Sequence, residues 1–310
     1  MPPASVEEAF DELLSRIELN PTRVTLASQR YNAVKATIEN AISGKTVRQI
    51  GSFQRKTKIR PLDLSDKLDI DALVSFGTFR QYATDGRGVS PASALETVRR
   101  ALASNETYRV MPQEQDHPII RLQYADDMSI ELTPAYEDLT GQHPHANGEP
   151  NCYIVSFSPY NWKPADYDYD AALITKRNTA TDGKLVPTIK LAKAYFRSRG
   201  VTLKSFHTEV LVANVVPSLL AGWKAQNYTF GYHHILSGFL SSAADAVISP
   251  VALSGSYSPA LDSDIDAQTL KRLGEWIRGR ADKAWELCKI KAAGESIKAW
   301  RDFFGEPFPA

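Results

Sequence analysis

The first forty residues of the chain place their apolar positions at helical spacing. Ser5-Val6-Glu7-Glu8 has the form of a capping box, and Phe10, Leu13, Leu14 and Ile17 then share one face of a helix ending near Asn20. Asn20-Pro21 reads as an N-cap followed by proline at the first helical position. Ala27, Tyr31, Val34, Ile38 and Ile42 follow at spacings of three and four, which predicts a long amphipathic helix stopped by Gly44. The period then shortens. Val47 to Phe53 and Leu68 to Val74 read as short strands joined by a basic, proline-containing loop. Ser90-Pro91 opens a helix through about Ala103. Ile119 to Tyr124 and Met128 to Leu132 form a hairpin across Ala125-Asp126-Asp127, and Cys152 to Phe157 is a further strand.

Beyond Asp166 the strand signals fade. Helical runs follow over about 168–178, 184–199, 204–221, 229–247 and 265–290, punctuated by Gly200 and Pro250. The order is helices, then mixed strands, then helices. It predicts an α+β front lobe over 1–165, including the N-terminal helices, and a helical lobe over 166–310. The long second helix is expected to brace both. Thr140 to Pro150 reads as an exposed loop.

Composition narrows the classes. The chain has 310 residues, 43% hydrophobic and 23% charged, as ordinary globular proteins do. Lys plus Arg is 36 and Asp plus Glu is 36, a zero balance that argues against a nucleic-acid coat and against an obligate nucleic-acid partner. With two cysteines, Cys152 and Cys288, disulfide-dependent folding is not expected. The N-terminus lacks the blocks of a signal peptide and no apolar run is long enough to span a bilayer, so the expected location is cytoplasmic, with no membrane partner.

Candidate chemistry begins at Leu68-Asp-Ile-Asp-Ala-Leu-Val74. Side chains at i and i+2 of a strand share a face, so Asp69 and Asp71 project together while Leu68, Ile70 and Ala72 point the other way. Two carboxylates this close repel unless a cation lies between them. Magnesium would resolve this, because it prefers oxygen ligands. The pattern also fits a half-exposed strand with surface aspartates. Two further features favour a site. Gly51-Ser52 is a turn whose backbone can approach a phosphate closely, and the next residues, Gln54 to Arg60, carry four cations. Glu131 is a third acid inside an apolar strand that could lie beside the first. Together these match phosphoryl transfer assisted by two metals.

Gly51-Ser52, Asp69-x-Asp71 and a later strand acid resemble the nucleotidyltransferase superfold related to DNA polymerase beta. The segments Glu131-Leu-Thr-Pro-Ala-Tyr136, Gly183 to Tyr195, Leu203-Lys-Ser-Phe-His-Thr-Glu209 and Ala299 to Pro309 narrow the resemblance. They are similar to the cGAS/DncV-like nucleotidyltransferases, bacterial cyclic-oligonucleotide synthases of anti-phage signalling. The resemblance spans nearly the whole chain in order.

It implies a mixed-sheet lobe and a helical lobe enclosing a central cleft. It further implies that Asp69, Asp71 and Glu131 hold two Mg²⁺, with Mn²⁺ as a substitute, and that Gly51 and Ser52 cradle the donor triphosphate. Lys193 and Ser205 would contact that triphosphate from the helical lobe, and Phe206 would stack on the base. Arg55, Thr57 and Lys58 are weaker phosphate candidates. Taken without the family, Lys193 reads as a helix-face lysine, Ser205 as a helix cap and Phe206 as core. Ribonucleoside triphosphates are the implied substrates, a cyclic di- or trinucleotide the product, and a regulatory protein a candidate partner. A linear RNA- or oligoadenylate-type transferase and a silent nucleotide sensor are the alternatives.

The chain departs from the family pattern in three places. Glu131 stands where aspartate is usual, Pro61 to Asp66 lengthens the gap before the acid pair, and Lys163 to Tyr167 differs beside the base pocket. His143, His145, His233 and His234 show no zinc spacing with the cysteines, and no Walker-type loop occurs.

Overall fold

The structure is a computed structural model, and it describes residues 3–62, 67–78, 89–116, 118–138, 152–156, 161–253, 256 and 261–309. The loop expected over Thr140–Pro150, with His143 and His145, lies outside the described residues, as do positions 63–66 of the lengthened gap.

The predicted caps hold the first helices. In α1 (Val6–Ile17) Ser5 accepts the Glu8 N–H at 3.2 Å, and the Glu8 carboxylate reaches back to the Ala4 N–H at 2.7 Å. Asn20 accepts the Arg23 N–H at 2.8 Å ahead of α2 (Pro21–Ala41). These bonds satisfy donors that a helix start otherwise leaves unpaired. β1 (Thr46–Gln49) is shorter than expected. Gly51 takes a φ of +70°, and Gly51–Gln54 closes as one helical turn, α3, where strand was expected.

β2 (Leu68–Thr78) follows. Ser90 and Pro91 then open α4 (Pro91–Ala103), and a short turn, α5 (Glu106–Val110), leads into the remaining strands. These are β3 (Gln113–Asp116), β4 (Ile119–Gln123), β5 (Met128–Asp138), β6 (Cys152–Ser156) and β7 (Trp162–Ala165). β3 is entirely polar and β7 contains a proline, so neither shows a strand pattern.

Among the described residues the seven strands form one mixed sheet in the order β1-β2-β5-β4-β3, with β6 on β5 and β7 on β6. β1 and β2 are antiparallel, and β2 runs parallel to β5. The 11-residue β5 organises the sheet. Its first half pairs with β4 in the expected hairpin and its second half with β6, while β2 runs along its other edge. Leu68, Ile70 and Ala72 are fully buried with Ile130 and Leu132 on one face, beneath α2 and α4. That apolar face fixes the register, because a one-residue slip would turn it to the other side.

The back half consists of α6 (Tyr167–Ala180), α7 (Leu185–Ser198), α8 (Ser205–Ala225), α9 (Tyr232–Ala246), α10 (Ala267–Cys288) and α11 (Ala293–Phe304) around a second core. The two N-terminal helices go to different cores. α2 lies on the sheet through Ala27, Val34 and Ile38. α1 packs into the helical core, where the Phe10 ring meets Trp300 and Phe308 edge-on at 5.1 and 5.2 Å. We therefore propose a lobe division that assigns α1 to the helical lobe. No described helix is long and apolar enough to cross a membrane.

Candidate active site

The parallel pairing of β2 with β5 builds the centre of the site. Asp71 lies directly opposite Glu131, and Asp69 opposite Ser129. All three acids alternate with buried apolar residues, so they share the sheet face turned away from α2 and α4. Ser129, itself fully buried, donates its hydroxyl to Asp69 Oδ1. Arg121, paired with Glu131 across the β4–β5 hairpin, donates from Nε at 2.9 Å and holds Glu131 Oε1 at 2.7 Å through its second arm.

The glycine turn is pinned against this centre. The Ile50 N–H donates to the Asp71 carbonyl at 2.9 Å, which brings Gly51 against the Asp71 side chain. A Cβ built on Gly51 would lie 2.0 Å from Asp71 Oδ2. Positive φ and close approach together therefore require glycine here. Ser52 is buried beside it.

Burial pushes the Asp71 carboxyl up to about 6. The Glu131 charge adds to the rise and Asp69 contributes less, while Lys58 and Arg55 oppose it. Three carboxylates gathered on one face, one of them reluctant to ionise alone, are a donor set suited to a hard divalent cation.

The basic loop after Ser52 turns inward. Lys58 donates to the Asp69 carbonyl at 3.3 Å. Arg55 is 8% exposed and binds the fully buried Glu209 of α8 through Nε at 2.7 Å. Lys193 of α7, 3% exposed, reaches the same carboxylate at 2.5 Å and the Thr57 carbonyl at 3.1 Å. Burial alone would raise the Glu209 carboxyl, but Lys193 and Arg55 hold it down at about 2. Two buried cations thus share one carboxylate beside the acids. Such a place suits an anionic phosphate chain.

Asp69, Asp71, Glu131, Gly51, Ser52, Lys193, Ser205 and Phe206 all line one cavity of about 1100 Å³, together with Arg55 and Lys58. Its walls come from both halves of the chain. Lys193 does not project freely into it, because Glu209 and Thr57 hold its ammonium. Ser205 opens α8 after the N-cap Lys204 and accepts from Arg197 at 3.2 Å. The Phe206 ring is covered by the Arg55 guanidinium, 4.4 Å from its centroid.

Three contributors carried no role in the sequence reading. Glu209 had a signal, an acid immediately before the apolar run that begins at Val210. Arg121 had one too, since the hairpin register sets residue 121 across from 131. Arg197 had none beyond its position four residues after Lys193.

Comparison with known proteins identifies the fold and the family. The model of the Second Messenger Oligonucleotide or Dinucleotide Synthetase domain matches residues 4–160, half of the chain. A probable cyclic nucleotide synthase of Bacillus cereus (strain VD146) is 24% identical over 298 residues, covering 86% of this chain and 83% of that one. Among solved structures, Vibrio cholerae DncV, a cyclic AMP-GMP synthase in complex with a linear intermediate, superposes with a TM-score of 0.72 at 11% identity. That match covers 99% of this chain and 97% of that one. Escherichia coli MS115-1 CdnC, in complex with HORMA-deltaN, superposes with a TM-score of 0.70 at 14% identity over 99% of both chains. The mixed sheet and the helical lobe are therefore those of a known fold, and the chain belongs to the family of Second Messenger Oligonucleotide or Dinucleotide Synthetase domains.

Proposed function

We propose that the protein joins ribonucleoside triphosphates into a cyclic di- or trinucleotide that acts as a second messenger in anti-phage defence. The observation that carries the chemistry is the pairing of Asp71 with Glu131, with Asp69 on the same face and Gly51 packed on Asp71 at the wall of a two-lobed cavity. The defence role follows from the family resemblance.

A ribose hydroxyl of one nucleotide attacks the α-phosphate of another. A new P–O bond forms, the bond to pyrophosphate breaks, and the hydroxyl loses its proton. Repetition closes the ring, at the second round for a dinucleotide and the third for a trinucleotide. Asp69, Asp71 and Glu131 would hold two magnesium ions, which when bound stabilise charge on the attacking and leaving oxygens. Gly51 and Ser52 bring backbone close to the triphosphate, and Glu131 helps draw off the hydroxyl proton. Arg55 and Lys193, tied to Glu209, offer fixed positive charge to the phosphates without reorganising. Phe206 supports the base beneath or beside the Arg55 plane.

The test is incubation with all four labelled ribonucleoside triphosphates and Mg²⁺ or Mn²⁺. The expected result is a phosphatase-resistant product, absent from an Asp69→Ala/Asp71→Ala control. Products that keep a 5′-triphosphate would identify a linear transferase instead. No product under any condition would overturn the proposal, and mass spectrometry of a positive reaction gives the bases and ring size.

A further inference from the structure

Remote from the cavity, the helical lobe gathers a second set of chemically able side chains. α9 begins with His233 and His234 in its first turn, and α10 ends on Cys288. One donor atom from each of these three residues lies within 4.8 Å of the other two. None of them lines the cavity of the acids. His233 is 4% exposed, and its Nδ1 has no hydrogen-bond partner among the described residues. A buried ring nitrogen without a partner costs stability unless something engages it. Its other nitrogen, Nε2, stands 3.7 Å from Glu7 Oε1 at the start of α1.

We propose that His233, His234 and Cys288 form a zinc site that ties α9 to α10. Imidazole and thiolate donors are those zinc selects, whereas magnesium takes oxygen, so this set and the acid triad recruit different metals. Zinc held at ordinary bond lengths sets its ligands about 3.3–3.6 Å apart, so donors within 4.8 Å of one another need close by no more than about 1.5 Å on binding. Three protein donors leave the fourth position to water.

Zinc takes imidazole in its neutral form. Burial pushes His233 down to about 4, helped by His234, and pushes His234 below its ordinary value. The Cys288 thiol is held up by burial and lies 3.4 Å from Ser237 Oγ. Binding therefore breaks the S–H bond, forms the S–Zn bond and releases one proton to solvent. His234 Nδ1 accepts the Gly231 N–H at 3.2 Å, a long bond that yields when the ring takes zinc.

The experiment uses the full-length protein carrying Asp69→Asn and Asp71→Asn, so that the acid triad does not retain metal. Titration with Zn²⁺ alone is expected to show one tight equivalent, and Co²⁺ alone to produce a thiolate-to-cobalt charge-transfer band. Cys288→Ser and His234→Gln should each weaken zinc binding more than about 100-fold, beyond the loss of an outer partner. Since Cys152 is the one other cysteine of the chain, persistence of the band in Cys288→Ser would overturn the assignment. A readout on the unsubstituted histidines and cysteine guards against misfolded variants: Zn²⁺ should protect Cys288 from alkylation at least tenfold, and a zinc-selective chelator should restore labelling. No charge-transfer band, or alkylation indifferent to zinc, would also overturn the proposal.

Discussion

Gly51 leaves no room for a side chain. A methyl group there would press on Asp71 Oδ2 at 2.0 Å, and the φ of +70° would be strained besides. Gly51→Ala should therefore displace the Asp71 carboxylate or the turn while leaving both cores intact. A displacement of about 1 Å at reacting groups costs on the order of 100-fold in rate. That loss is expected in nucleotide incorporation, with an unchanged circular dichroism spectrum. Asp71 supports a second prediction. Its carboxyl sits at about 6 against an ordinary 3.8, raised by burial and Glu131. A raised carboxyl makes the folded protein bind the proton more tightly than the unfolded chain. Without divalent cations, the penalty is thus absent below about pH 4, grows through pH 6, and reaches at most about 3 kcal/mol above it. Mg²⁺ relieves the same penalty, so it should raise the melting temperature more at pH 7 than at pH 5. Asp71→Asn should abolish that difference.

At the scale of elements, three segments meet at one buried carboxylate. α8 supplies Glu209, α7 supplies Lys193, and the loop after α3 supplies Arg55 and the Thr57 carbonyl. The arrangement fastens the glycine turn of the sheet lobe to two helices of the other. Glu209→Gln would leave two cations buried around a neutral amide. Breaking a buried ion pair in this way costs about 3–5 kcal/mol. The expected result is a fall of that size in unfolding free energy by denaturant, together with weaker nucleotide binding. The element pattern was largely legible in the sequence. Ser5, Asn20 and Ser90 cap the helices they announce, and the Ala125–Asp127 turn closes the expected hairpin. The strand expected over Val47–Phe53 ends at Gln49, because the Gly51 backbone turns into α3. β3 and β7 carry no strand pattern of their own, because pairing to a neighbour rather than their own polarity makes them strands.

At the scale of the whole molecule, the N-terminus completes the far lobe. Phe10 is fully buried against Trp300 and Phe308, nearly three hundred residues later in the chain. Phe10→Ala should cost about 3–5 kcal/mol, the range for removing a large core ring. Its effect belongs to the helical core, so hydrogen exchange should quicken in α11 and α9 more than in β2 and β5. The sequence by itself determined the local order: caps, periods, the hairpin, the shared face of Asp69 and Asp71, and the motifs of the family. These depend on neighbours a few residues apart, where spacing dictates geometry. The tertiary structure alone decided which distant residues meet. It set Asp71 beside Glu131 through a parallel pairing, which no short turn enforces. It gave Lys193 and Arg55 a common carboxylate in Glu209. It also carried Cys288 to His233 and His234 across more than fifty residues, because α9 and α10 must pack their apolar faces together.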